Sequence, residues 1–206
     1  MNAGPHTSAA LSNQVMGLGR LAQLELDVRQ AESPLAVAFI AANDTHRVVP
    51  YDHALVWLAG TGRIAAISGG MKIEPNAPQI RWYSACARHL AALAAPSGIV
   101  PVDAALLPAR LRTDAPRHLP VHTCWVPWLG PRSQHAGGLF VVRDTPFTAP
   151  EQRLLMRLGG AYGSAITALS APSATPAAWW SRKHCVIAAA VAATLLVLAL
   201  PMHVVA

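Results

Sequence analysis

The sequence predicts an α+β fold, an antiparallel sheet with packed helices, followed by a linker and one C-terminal membrane-crossing helix. Three observations carry that expectation. Two pairs of short apolar runs flank turn signals, HALVWLA-GTGR-IAAIS from His53 to Ser68 and VHTCWVPWL with GGLFVVRD from Val121 to Asp144. Each pair reads as a hairpin, and hairpins join strands antiparallel. Around them lie segments whose apolar residues recur at three- and four-residue steps, the signature of helices that bury one face. Finally, CVIAAAVAATLLVLAL, from Cys185 to Leu200, carries no charged residue.

In chain order, Leu11, Val15, Leu18, Leu21, Leu24 and Val28 share one face of a first helix within residues 1–32, whose start Gly17 and Gly19 weaken. Ser33 and Pro34 form an N-cap and first-turn proline pair, so a second helix runs through LAVAFIAAN to about Thr45, and Pro50 ends the connection. After the first hairpin, Ile80, Tyr83, Ala87, Leu90 and Ala94 mark a helix that begins near Asn76 and closes before Pro96 and Gly98. The stretch from Ile99 to Pro120 reads as a long, proline-punctuated connection with a short strand at Ile99 to Val102. The second hairpin turns around GPRSQHA. Thr148 with Glu151 three residues later is a capping box, and it opens a helix with apolar positions Leu154, Leu155, Leu158, Tyr162, Ile166 and Leu169. The main domain so spans residues 33–170. SAPSATPAA then begins a linker and juxtamembrane segment, 171–184.

The apolar run is expected to cross the inner membrane over residues 185–202, leaving 203–206 outside. At ~1.5 Å per residue, Cys185 to Leu200 covers roughly 24 Å, a little under the ~30 Å hydrocarbon core, and Pro201, Met202, Val204 and Val205 can extend it. Trp179 and Trp180 stand where an interfacial aromatic belt belongs, and Arg182 and Lys183 directly precede the run. Basic residues beside a span stay on the cytoplasmic side, so the main body is expected in the cytoplasm. The N-terminal MNAGPHTSAALSNQ has neither the basic start nor the apolar centre of a signal peptide. Three widely spaced cysteines, Cys86, Cys124 and Cys185, offer no disulfide framework. The net charge of +6 comes from arginines scattered singly, without the basic stripe and interleaved aromatics of a nucleic-acid binder. Anionic lipid headgroups are the better-matched partner, at about 1 kcal/mol per close charge.

The order helix, helix, hairpin, helix, loop, hairpin, helix resembles the GAF domain, a ligand-sensing and dimerising module. A more specific likeness lies in LELDVRQAES (Leu24 to Ser33), AFIAANDTHRVVPYDHALVW (Ala38 to Trp57), TCWVPWLGP (Thr123 to Pro131) and GGLFVVRDTPFTAPEQRLLMRLGGAYGSAITAL (Gly137 to Leu169). With the linker and span, these segments resemble the N-terminal half of bacterial HlyD-type membrane fusion proteins. Those are periplasmic adaptor subunits of efflux and secretion systems, and this group carries a cytoplasmic GAF-like domain before its membrane helix. Asp44 stands where that pattern has Glu. The resemblance implies a non-catalytic regulatory or interaction domain, with membrane lipid, an inner-membrane transporter and a second copy of the chain as partners. Proteins of that type continue into lipoyl-like and hairpin segments. The six residues after Leu200 reach only roughly 20 Å when extended, so the span is expected to be an anchor inherited from a longer adaptor, in a fragment or in a short form.

Candidate chemistry is sparse. Zinc would need four ligands, or three and a water, in a tetrahedral arrangement. His118, His122 and Cys124 form one cluster and Cys86 with His89 a pair at helical spacing, and on a strand His122 and Cys124 share one face, which ordinary packing explains as well as a site does, so no metal is expected. Some GAF domains reduce methionine sulfoxide, which needs an attacking thiolate and a resolving cysteine, so Cys86 and Cys124 would have to meet across a helix–sheet interface. Buried cysteines are far more often small hydrophobes, and no catalytic residue or cofactor is expected. A small-molecule pocket on the sheet, in a membrane-tethered sensor, is the alternative. Trp57, Trp82, Tyr83, Trp125 and Trp128 would line it, with Arg81 or His122 as polar contacts. GTGR and LGG lack the helix-opening Lys-Ser/Thr of phosphate loops.

Overall fold

The computed structural model describes residues 5–70, 72–93, 98–116, 122–131 and 133–171, with the side chains of 5–14 and 104 excepted. The expected membrane helix, its linker beyond Ala171, and Trp179, Trp180, Arg182 and Lys183 lie outside them. Among the described residues no helix is long and apolar enough to cross a membrane.

Both hairpins form. β1 (His53–Leu58) pairs antiparallel with β2 (Arg63–Ile67) across a turn in which Gly62 takes φ 66°. β4 (His122–Leu129) pairs with β5 (His135–Arg143), which starts two residues before the expected Gly137 because His135 already pairs with Leu129. β1 also pairs with β5, and the short β3 (Val100–Pro101) pairs with β4, giving one antiparallel sheet in the order β2-β1-β5-β4-β3.

Strand alternation divides the interior in two. Ala54, Val56, Cys124, Val126, Trp128, Leu139 and Val141 face three helices: α1 (Pro5–Gln30), α2 (Pro34–Asp44) and α5 (Ala149–Ser170). Leu55, Trp57, Trp125 and Phe140 face α3 (Pro78–Ala92) and α4 (Ala109–Thr113). α4 and the 3₁₀ turn Ala104–Leu106 interrupt what reads in sequence as a plain connection, and Leu107 and Leu111 tie that segment to the second core.

Among its described residues the apolar stripe of α1 is buried only toward its C-terminal end. Leu21, Leu24 and Val28 are buried, whereas Val15 and Leu18 remain 68% and 65% exposed. The helix runs through Gly17 and Gly19, where a Cβ would meet nothing, so each costs only about 1 kcal/mol of propensity and does not break it. α2 opens as its sequence predicts, with the Ala36 amide donating to Ser33 Oγ at 3.1 Å. It closes in a 3₁₀ turn, Thr45–Arg47, where the buried Thr45 hydroxyl donates to the Ala41 carbonyl at 2.8 Å. The Tyr162 hydroxyl of α5 lies 2.7 Å from the same oxygen and donates to it, joining the two helices inside the core.

The start of α5 differs from a reciprocal capping box. Glu151 accepts from the Thr148 amide at 2.8 Å, but the Thr148 hydroxyl also donates to this carboxylate, which in turn receives Arg143 of β5. α5 lies close on β4 through two glycines: a Cβ on Gly159 would stand 3.1 Å from the Pro127 carbonyl oxygen, and one on Gly163 would strike the Leu129 backbone.

Candidate functional site

The second core is a layer of aromatic rings. Trp125 of β4 lies 4.8 Å from Phe140 of β5 and 6.2 Å from Trp57 of β1, and Tyr83 of α3 stands edge-on to Phe140 at 5.1 Å. Trp82 meets Tyr83 edge-on at 5.0 Å and donates its indole N–H to the Leu111 carbonyl at 2.8 Å, which fixes α3 to α4. Room for Trp125 comes from β5, since a Cβ at Gly138 would fall inside its ring. Among the described residues the buried indole nitrogens of Trp57 and Trp125 have no hydrogen-bond partner. Burial in this apolar layer disfavours charge and pushes the Tyr83 hydroxyl up to about 12.

The cysteines take separate places. Cys86 packs with the aromatic layer on α3, and burial pushes its thiol up to about 12. Cys124 belongs to the opposite core, where burial also raises its thiol despite nearby Arg143. Because the sheet stands between them, they do not form an attacking and resolving pair. Among the described residues no group of His, Cys, Asp and Glu is placed to hold a metal ion.

The outer side of the same helices bounds an open cleft of about 1140 Å³. Its walls are the β1–β2 turn at Thr61 to Ile64, the start and outer face of α3, and α4 with Pro108 before it. Arg63, Arg81, Arg88 and Arg110 line it, against one carboxylate, Asp114. All four arginines are exposed, and none is in an ion pair among the described residues. Arg88 is tied down in part, its Nε donating to the Ser84 carbonyl at 3.3 Å. α3 begins on the rim of this cleft at Pro78, with Ala77 as a cap that offers no side-chain acceptor, so the positive end of the helix is left uncompensated there.

Of the residues singled out in sequence, Trp57, Trp82, Tyr83 and Trp125 come together, but as mutually packed rings. Arg81 lies on the outer face of α3, where it lines the cleft beside the edge of Trp82. Trp128 packs on Tyr162 at 5.0 Å on the other side of the sheet. His122 follows the alternation of Cys124 and Trp128, so it does not join Trp125. Sequence reasoning missed Arg63, Arg88 and Arg110. One local signal was available, because Arg81 and Arg88 are seven residues apart and therefore share a helical face.

Comparison with solved structures identifies the fold. The chain is similar to the GAF domain of a putative sensor histidine kinase from Pseudomonas syringae pv. tomato, with 16% identity and a TM-score of 0.51 over 79% of this chain and 92% of that one. It is similarly close to the GAF domain from Acinetobacter phosphoenolpyruvate-protein phosphotransferase, with 16% identity and a TM-score of 0.53 over 78% of this chain and 98% of that one. Residues 122 to 287 of a methyl-accepting chemotaxis protein match with 14% identity and a TM-score of 0.52, over 73% and 98%. The α+β fold is therefore GAF-like. No protein-family model matches the chain, and no curated protein matches it significantly.

Proposed function

We propose that this chain is a non-catalytic, GAF-like regulatory domain that works by protein contact, is anchored at the bacterial inner membrane with its body in the cytoplasm, and serves an efflux or secretion assembly of the HlyD-type adaptor class. The GAF-like neighbours, among them parts of a sensor kinase and a chemotaxis protein, support a regulatory role. The observation that carries the contact reading is the distribution of apolar surface. Val15, Met16, Leu18 and Leu26 on α1 and Leu35 and Phe39 on α2 are exposed, while the interior that would receive a small molecule is occupied by its own rings. Large exposed apolar side chains gathered on one pair of helices mark an interaction surface. The link to export rests on the ordered segment resemblance, and the anchor on residues 185–202 with Arg182 and Lys183 before them.

A photo-crosslinking residue placed at Phe39 or Val15 of the full chain in intact membranes tests this reading. Crosslinks to a transport or adaptor protein, or to a second copy, are expected. Free monomer alone at both positions overturns it. A reporter active only in the periplasm should work when fused after Ala206 and not at Met1, and the reverse pattern removes the cytoplasmic placement.

A further inference from the structure

We propose that the arginine cleft between the β1–β2 turn, α3 and α4 receives an extended acidic segment of the partner protein, an inference that rests on the contact function and gives the partner its chemistry. Four guanidinium groups, from a strand, a long helix and a short helix, line one concavity, and among the described residues they have no ion-pair partner and share the lining with one carboxylate. Like charges gathered around one concavity give it a positive potential that favours an anion. The uncapped start of α3 adds positive potential on the same rim, and a carboxylate there is stabilised by the helix dipole. Guanidinium forks also match carboxylates in geometry.

The shape selects among anions. Ile64, Pro75, Pro78, Ile80 and Leu111 alternate with the arginines around the walls, so the occupant presents apolar as well as acidic groups. Stacking on an aromatic face is a common grip on a nucleic-acid base. Among the described lining residues the one aromatic, Trp82, is only 4% exposed and committed to Leu111 and Tyr83. A bilayer surface is flat, whereas these arginines line a concavity. β2, which contributes Arg63 and Ile64, is an edge strand, so its outer backbone groups are open to a strand-like peptide. The chain itself does not supply the occupant. Its ten acidic residues are scattered without a run, and its net charge is +6.

The test is fluorescence anisotropy of a labelled peptide built on Glu-Asp-Ala-Leu repeats, titrated with the full chain in neutral detergent micelles. Three proteins are compared: wild type, Arg81→Glu with Arg110→Glu, and a control, Arg20→Glu with Arg153→Glu, which makes the same charge change on exposed positions outside the cleft. Exposed arginines can be reversed without repacking, and circular dichroism checks that each protein is folded. Wild type should bind and weaken as salt rises, the cleft variant should lose about tenfold in affinity, and the control should stay within about twofold. Equal losses in both variants, or no binding by wild type, overturn the proposal. So does displacement of the peptide by a nucleoside triphosphate at equal concentration, which assigns the cleft to small phosphate ligands. Loss of binding to phosphatidylglycerol vesicles confined to the cleft variant assigns it to lipid and overturns it as well. If the peptide fails while crosslinks from Phe39 persist, the cleft assignment falls and the contact function stands. If both fail, both fall.

Discussion

Replacing Glu151 by Gln should remove about 2 kcal/mol of stability at neutral pH, because this carboxylate closes a clip between three parts of the chain. The Arg143 guanidinium, at the end of β5, donates to Glu151 Oε1 at 2.9 Å and to Oε2 at 2.7 Å. Its other contacts are the carbonyls of Pro50 at 3.0 Å, Thr145 at 2.9 Å and Pro146 at 2.7 Å, and its plane covers Phe147 at 4.0 Å. With Arg143 only 11% exposed and Glu151 23%, the pair is sheltered but not sealed from water. The Arg143 hydrogen bonds, and then those from Thr148, hold the Glu151 carboxyl at about 2 against an ordinary 4.5. At 1.36 kcal/mol per tenfold, that gap is worth roughly 3 kcal/mol at most, and solvent screening brings it to about 2. The glutamine amide also turns an N–H toward a guanidinium that has no acceptor to offer.

The pH dependence has a definite sign. A carboxyl whose folded value is lowered contributes its full stability above about 4.5 and loses it as pH falls toward about 2. Thermal unfolding of the full chain in detergent, followed by tryptophan fluorescence, should show the variant melting about 6 °C lower at neutral pH, at about 3 °C per kcal/mol for a domain of this size. Near pH 3 the difference should shrink to under half, and near pH 2 it should almost vanish. Equal melting temperatures at neutral pH, or a gap that persists undiminished at pH 2, would refute the reasoning.

Neighbouring glycines of α5 should respond with opposite signs. Gly160→Ala, which meets open space, should gain about 0.5–1 kcal/mol in the same melting assay, whereas Gly163→Ala should lose more than about 2 kcal/mol, because its Cβ would overlap the Leu129 backbone N and C at 2.8 and 2.9 Å. Cys86→Ser should destabilise by about 1–3 kcal/mol by burying a hydroxyl in the aromatic layer. Oxidation of the native wild type should yield no intramolecular Cys86–Cys124 disulfide by mass spectrometry, and finding one would place the two thiols on the same face of the sheet.

How much could be read in advance follows from how local each signal is. The hairpins, the Ser33 cap and the face of α5 depend on residues within a few positions of one another, and the structure has them close to where the pattern puts them. α4 was not legible, because five residues of helix between prolines carry no periodicity, and Leu107 and Leu111 gain their meaning only from the distant aromatic layer. The aromatic set was read as to its members but not its sides. Trp125 and Trp128 are three apart on one strand, an odd interval that sends them to opposite faces, so the alternation already held that answer. The cleft arginines come from β2, α3 and α4, and only topology assembles them.

The two faces of the sheet meet in one dipeptide. Adjacent residues of a strand point to opposite sides, so Gly137 and Gly138 leave space on both at once. A Cβ on Gly137 would strike the Trp57 carbonyl oxygen at 2.5 Å and press on the Trp128 ring at 3.2 Å, on the side of α1, α2 and α5, whereas one on Gly138 would enter the Trp125 ring, on the side of α3 and α4. β5 lies between β1 and β4, the position from which a missing side chain opens room beneath rings carried by its neighbour. Trp128 fills that room against Tyr162, and Tyr162 reaches Thr45 at the end of α2, the helix that bears Leu35 and Phe39 on its exposed side. Trp125 fills the other room against Phe140, Phe140 supports Tyr83, and α3 is thereby held with Arg81 and Arg88 turned toward the cleft. The exposed apolar side chains of α2 and the basic cleft are thus each linked to one buried indole, and each indole packs over one of these two adjacent glycines.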